Sequence, residues 1–97
     1  MIFGGRIKSL REKKQIPQRQ VAAALKIDTA TYCKIEKGDR RAKREQLVHI
    51  GNLLEIDTKE LLCLWYADKV YELIAEEDAP ADILNIVAET ISKKNVN

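Results

Sequence analysis

The apolar positions at the start of the chain recur at helical spacing. Phe3, Ile7 and Leu10 follow one another at steps of four and three, so they share one face of a helix that ends near Lys14. Pro17 then favours a new helix start, because proline suits the first turn of a helix and not its interior. The chain therefore begins with two helices that meet at a proline turn.

Only three residues separate the second helix from the third. The apolar spacing predicts helices over residues 18–25 and 29–37. Asp28 is placed to cap the third helix, and Gly38 to end it in the left-handed conformation. Two short helices joined by so tight a turn are typical of a helix-turn-helix.

The remaining apolar positions predict three further helices. A fourth is expected over residues 47–54, and a fifth over 58–77, opened by a capping box at residues 57–60. A last helix is expected over residues 80–92, followed by a frayed tail. Because no stretch alternates with a period of two, the pattern predicts an all-α fold.

Basic and acidic residues lie in different halves of the chain. The net charge is only +2, from 17 basic and 15 acidic residues. Residues 1–50 hold 13 basic and 5 acidic residues, a balance of +8, whereas residues 51–97 hold 4 and 10, a balance of −6. Such asymmetry indicates that one part faces a polyanion and the other has a different task.

Other classes of function lack their signatures. No apolar run approaches the roughly 18 residues that cross a bilayer, and there is no signal peptide, so we expect a cytoplasmic protein. Cys33 and Cys63 stand far apart with no CxxC, and His49 is the single histidine, so we expect no metal and no cofactor. Paired catalytic carboxylates, Cys/His arrangements and phosphate-cradling glycine loops are also missing, which argues against an enzyme.

The outward face of the third helix contains no acidic residue. Tyr32 and Ile35 point toward the core, and small or basic side chains occupy the opposite side. A face of this kind fits the major groove of DNA, but a solvated surface has the same character. Its members are Thr29, Ala30, Cys33, Lys34 and Lys37.

One set of positions across the first three helices follows a known pattern: Arg11, Gln18, Ala22, Leu25 and residues 27–38. Through these positions, residues 6–54 resemble the Cro/cI-type helix-turn-helix family, also called the Xre family, found in phage repressors and many small bacterial regulators. The resemblance implies a lambda-repressor-like five-helix domain that binds DNA in a bacterial or phage setting, associated with the nucleoid. Lys26 departs from the family pattern, which often has glycine in the turn, so either this lysine is left-handed or the turn rearranges.

The resemblance also implies roles for individual residues. Thr29, Ala30 and Lys34 match positions that face base edges, and Cys33 lies on the same face. Arg11 and Glu36 match a structural salt bridge, and Gln18 matches a phosphate contact.

We assign phosphate contacts to residues around the third helix, because phosphate contacts supply affinity while base contacts supply discrimination. Entry of Arg41 or Arg44 into the neighbouring minor groove is an alternative. The phosphate set comprises Gln18, Arg19, Thr31, Lys37, Arg40, Arg41, Lys43 and Arg44.

A C-terminal helical hairpin is expected to join two copies. One half-site gives too little discrimination, so such domains usually act as two-fold dimers. Two hairpins would form a four-helix bundle; the alternative is that the last helix caps the first four helices of its own chain. The interface residues we assign are Val70, Tyr71, Leu73, Ile74, Ile83, Ile86, Val87 and Ile91.

Together these patterns predict a DNA-binding domain over residues 1–56 and a dimerisation segment over residues 57–97. We expect a sequence-specific regulator of transcription, a repressor or autoregulator, that binds a palindromic operator in double-stranded DNA without a small-molecule effector. The alternative function is a protein-interaction module on a helix-turn-helix scaffold that does not bind DNA.

Overall fold

The computed structural model describes residues 2–96, and side-chain burial for residues 2–94. These residues form six α-helices and one 3-10 helix, with no strand. The elements are α1 (Ile2–Lys13), α2 (Gln18–Leu25), α3 (Thr29–Lys37), a 3-10 helix (Arg44–Gln46), α4 (Leu47–Leu54), α5 (Thr58–Ile74) and α6 (Pro80–Val96). No helix in this part of the chain has the length and apolar character to span a membrane.

The ends of α2 and α3 have the local causes that the sequence predicts. Pro17 precedes α2 in an extended conformation, and Lys26 ends it in the left-handed conformation with φ 59° and ψ 41°. The turn therefore keeps its shape without glycine. The Asp28 carboxylate accepts a hydrogen bond of 2.6 Å from the backbone N–H of Thr31, and Gly38 ends α3 with φ 83°.

One apolar core joins the first four helices to the first half of α5. The predicted apolar stripes of α1 to α4 all contribute to it, and Leu61 adds α5 to the same cluster. Its buried members are Phe3, Ile7, Val21, Ala22, Leu25, Tyr32, Ile35, Ala42, Leu47, Ile50, Leu54 and Leu61.

At Gly4, α1 comes into close contact with the end of α3. A Cβ atom at this position would lie 2.8 Å from the carbonyl oxygen of Ile35 and closer still to that of Glu36. Because these are backbone atoms, no side-chain rotation would make room. Gly4 therefore sets the separation of the two helices.

The C-terminal helices differ from the prediction at their ends. α5 stops at Ile74 rather than Glu77. Residues 76–78 are all acidic, and negative charge opposes the dipole at a helix C-terminus. α6 continues to Val96 instead of ending at Ser92, and Lys93 and Lys94 in its last turn favour that dipole.

The predicted capping box of α5 forms only in part. Asp57 accepts a hydrogen bond of 3.1 Å from the backbone N–H of Lys59. Glu60 does not complete the box, and its carboxylate lies 3.9 Å from the Arg6 guanidinium.

α6 lies apart from the core. None of its side chains at residues 80–94 is buried, so it does not cap the first four helices. The radius of gyration is 15.6 Å, whereas a compact domain of this length has about 12.5 Å. The molecule is accordingly elongated, with extents of 43 × 31 × 22 Å.

Candidate DNA-binding surface

The predicted base-contacting residues share one accessible face of α3. Thr29, Ala30 and Lys34 are exposed, and Cys33 is half-buried beside them. The only acidic residue of this helix, Glu36, is buried on the opposite side. The face is therefore free of negative charge and large apolar groups.

Arg11 and Glu36 form the ion pair that the family resemblance implies. Arg11 Nε donates to Glu36 Oε2 at 2.6 Å, and Arg11 Nη2 donates to Oε1 at 3.1 Å. Burial raises the pKa of the Glu36 carboxyl, but the hydrogen bonds that the carboxylate accepts, that from Arg11 foremost, together with the Arg11 charge outweigh this effect, so the pKa lies below its ordinary value. The same hydrogen bond raises the pKa of Arg11. The pair locks α1 to the end of α3.

Gln18 extends this network to the outward face of α3. Its Nε2 donates to Glu36 Oε1 at 3.1 Å, and its Oε1 accepts a hydrogen bond of 2.9 Å from Cys33 Sγ. The link from Gln18 to Cys33 has no signal in the sequence, because the two residues are 15 positions apart on different helices.

Tyr32 points into the core, as its position on α3 predicts, and takes its hydroxyl with it. The residue is fully buried, and its hydroxyl has no hydrogen-bond partner in the described residues. Burial raises the pKa of this hydroxyl, so it stays protonated.

The basic loop after α3 presents four exposed cations from a buried anchor. Ala42 lies in the core, and its carbonyl oxygen accepts a hydrogen bond of 2.8 Å from Trp65 Nε1 of α5. The residues around this anchor point outward. They are Arg40, Arg41, Lys43 and Arg44.

Two of these arginines contact aromatic rings of α5. The Arg41 guanidinium carbon lies 3.8 Å from the centre of the Trp65 ring. Arg44 Nη1 donates to the Tyr66 hydroxyl at 3.1 Å. Neither contact could be predicted from the sequence, because helical periodicity carries no information about which loop packs against which helix.

Asp68 is a further residue whose role periodicity does not reveal. Asp68 belongs to the acidic half of the chain, residues 51–97, yet it is only 4% exposed. Its carboxylate accepts hydrogen bonds from the backbone N–H groups of Ile2, at 2.8 Å, and Phe3, at 3.0 Å. Asp68 thus caps α1, whose first turn holds no acidic residue of its own. The lack of an acidic residue in the first turn of α1 was the one feature of the sequence that indicated a cap from another element.

The remaining phosphate candidates surround the outward face of α3. Arg19 lies at the start of α2 and Lys37 at the end of α3, and both are exposed, whereas Thr31 is half-buried. Pro17 supplies no side-chain hydrogen bond to the start of α2. The first N–H groups of α2 therefore lack a side-chain cap.

The expected contact between the apolar stripes of α5 and α6 is largely missing within one chain. Ile74 is buried and Ile83 is half-buried. The other members are exposed, with Leu73 at 80% and Ile86 at 64%. The exposed members are Val70, Tyr71, Leu73, Ile86, Val87 and Ile91.

These features define a class of protein. α2 packs its apolar stripe inward, residues 26–28 make the turn, and α3 lies across it with an accessible polar face. This arrangement is a helix-turn-helix, which is typical of DNA-binding regulators.

Comparison with known proteins agrees with this class. A family described as a helix-turn-helix domain matches residues 4–66, and the chain belongs to that family. No curated protein and no solved structure matches the chain significantly. The match includes the first half of α5, in keeping with the position of Leu61 in the core.

Proposed function

We propose that the protein is a sequence-specific regulator of transcription of the Cro/cI type, which binds a palindromic operator as a two-fold dimer. The observation that carries this proposal is the accessible, acid-free face of α3 between the start of α2 and the basic loop. A polyanion with a groove wide enough for a helix is the ligand that this surface fits.

In this proposal α3 lies in the major groove. Lys34 donates to guanine O6 or N7, while Ala30 and the methyl group of Thr29 contact a thymine methyl. Cys33 lies at the edge of the same face. The bidentate adenine contact of Asn or Gln is unavailable there, so DNA shape contributes to the choice of operator.

The phosphate contacts come from both sides of α3. The start of α2 presents backbone N–H groups and its positive dipole end to a phosphate, beside Gln18 and Arg19. Thr31 and Lys37 contact the backbone from α3 itself, and the four cations of the loop contact it on the other side. Each phosphate neutralised makes the slope of log affinity against log salt concentration more negative by about 0.9.

A second copy of the chain would cover the exposed apolar surface of α5 and α6. A single helix of the length of α6 is only marginally stable in water without a packing partner. In a dimer with two-fold symmetry, the apolar patch of one copy packs against the same patch of the other copy. The four helices then form a closed bundle. The dimer also presents two α3 helices to two half-sites about 34 Å apart.

We assign the protein to repression or autoregulation, because repression needs only that the bound dimer excludes polymerase from an overlapping promoter. The exposed apolar surface also favours a second candidate, a protein-interaction module that does not bind DNA. DNA binding separates the two candidates directly.

Selection of bound sequences from a random DNA pool tests the proposal. Enrichment of a palindrome by the wild type supports it, provided that the Lys34→Ala variant relaxes preference at one or two positions of each half-site. Lys69→Ala is the matched control, because Lys69 is also an exposed lysine but lies in the acidic half of the chain, residues 51–97, away from α3. Failure to enrich any sequence contradicts the proposal and favours the interaction module.

A further inference from the structure

The basic loop contains two kinds of arginine. The guanidinium of Arg41 stacks on the face of the Trp65 ring, with 3.8 Å between its carbon and the ring centre. Arg44 is tied to Tyr66 by a hydrogen bond of 3.1 Å, and its guanidinium lies 5.9 Å from the ring centre. In the described part of the chain, Arg40 has no aromatic contact of this kind.

A stacked arginine keeps its capacity to bind phosphate. The aromatic ring occupies one face of the planar guanidinium, whereas the N–H donors radiate from its edge. Arg41 is exposed, so these donors reach solvent. Stacking and a bidentate phosphate contact are therefore compatible in the same conformation.

The aromatic residues are themselves held in place. Trp65 packs against the core, donates to the Ala42 carbonyl at 2.8 Å and meets Tyr66 edge to face, with ring centres 5.0 Å apart. The loop backbone and the Arg41 side chain are thus fixed to the same ring.

We propose that Trp65 and Tyr66 are positioning residues that hold Arg41 and Arg44 in their DNA-binding conformation before DNA arrives. This inference rests on the proposed DNA-binding function. An unrestrained arginine loses rotamer freedom when it binds a phosphate, and the ring removes part of that cost in advance. Loss of the ring at position 65 then weakens binding to DNA of any sequence by about threefold to tenfold.

The test is a cycle of four variants in which position 65 is Phe or Leu and position 41 is Arg or Gln. Trp65→Phe and Trp65→Leu both lose the hydrogen bond to Ala42, but only phenylalanine keeps a ring face for the guanidinium. With Arg41 present, the leucine variant binds more weakly than the phenylalanine variant. With Arg41→Gln the two bind equally. Equal binding in the presence of Arg41, or the same loss in both backgrounds, overturns the proposal.

Two controls keep the result independent of folding. Arg40→Gln removes a cation from the same loop without touching a ring, so the difference between Trp65→Phe and Trp65→Leu persists in its background. Tyr66→Phe removes only the hydroxyl that Arg44 contacts, at an exposed position, and weakens DNA binding only when Arg44 is present. A Tyr66→Phe effect that persists with Arg44→Gln contradicts the positioning role.

The stacking of Arg41 on Trp65 can be measured in the free protein, without DNA. Trp65 is the only tryptophan of the chain, so its fluorescence reports the contact directly. Arg41→Gln changes that emission in the free protein, whereas Arg40→Gln leaves it unchanged. If the emission responds to Arg41 but no DNA binds, the proposed function is wrong and the positioning role falls with it. If DNA binds and the Phe and Leu variants are equal, only the positioning role is wrong.

Discussion

Gly4 and Gly5 are neighbours in α1 with opposite surroundings. A Cβ at Gly4 would collide with the backbone of α3, whereas one at Gly5 would meet nothing within 4 Å. We expect Gly4→Ala to lower the free energy of unfolding by about 1–3 kcal/mol, because the two helices must separate. Gly5→Ala is the matched control and should raise it by about 0.5–1 kcal/mol, through the better helix propensity of alanine. Urea unfolding followed by circular dichroism measures both, and equal stability of the two variants would contradict this packing.

The Arg11–Glu36 pair gives the protein a specific sensitivity to acid. Because the pKa of Glu36 is lowered in the folded state, its contribution to stability is complete above the unfolded pKa of about 4.3 and is lost as pH falls through the lower folded value. We expect the unfolding free energy of the wild type to fall in that window.

Substitution of Glu36, with Glu55 as the control, checks whether Glu36 causes the loss of stability in acid. At pH 7, Glu36→Gln leaves the charge of Arg11, whose side chain is only 11% exposed, without its carboxylate partner and should cost about 3–5 kcal/mol. It should also abolish this part of the pH dependence. Glu55 also pairs with a basic residue, Lys14, which directly follows α1, at 2.7 Å. Glu55 is exposed, so Glu55→Gln should change stability little. An unaltered acid profile in Glu36→Gln would exclude Glu36 as its source.

Residues whose role is local could be predicted from the sequence, and residues that act across the chain could not. Asp28 and Gly38 work within a few positions of themselves, so spacing alone identified them. The resemblance to a known family added the Arg11–Glu36 pair. The bond between Gln18 and Cys33 and the buried Tyr32 hydroxyl depend on the final distance between helices, which periodicity does not contain.

At the scale of elements, α5 connects parts of the molecule that are far apart in sequence. Leu61 lies in the core, Trp65 holds the basic loop, and Asp68 caps α1. Leu61 and Asp68 are seven positions apart, so they share one face of the helix. The spacing of these two residues can be read from the sequence, but the fact that the start of α1 covers this face of α5 cannot.

The cap supplied by Asp68 makes a testable contribution to stability. Asp68→Ala leaves the first two N–H groups of α1 without their acceptor, so we expect a loss of about 1–3 kcal/mol in unfolding free energy. Hydrogen exchange of the Ile2 and Phe3 amides should accelerate more than that of amides in α4. The neighbouring exposed Lys69 provides the control, since Lys69→Ala removes no such contact. Wild-type protection of both amides in Asp68→Ala would disprove the cap.

At the scale of the whole molecule, the two charge balances correspond to two regions. The excess of +8 over residues 1–50 includes the cations around α3, and the excess of −6 over residues 51–97 includes the acidic residues of α5 and α6. The negative region would be repelled by phosphate, which orients the basic region toward DNA. The helix spacing of both regions was predictable, but the separation of α6 from the core was not, because a stripe of apolar residues does not identify the surface that covers it.

The apolar surface of the acidic region is where the proposed dimer can be tested. Over residues 58–94, where side-chain burial is described, Leu73 and Ile86 are the most exposed large apolar residues of α5 and α6. Leu73→Gln and Ile86→Gln each remove apolar area twice in a two-fold dimer, so we expect the dimer dissociation constant, measured by sedimentation, to rise at least about tenfold. Glutamine adds no charge, so binding to a single half-site should stay at the wild-type level while binding to the full palindrome weakens. Val48→Gln is the control, since Val48 is an exposed apolar residue of α4 outside this surface. If the variants stay dimeric, the interface lies elsewhere; if half-site binding falls as well, these residues support the DNA-binding domain rather than the dimer.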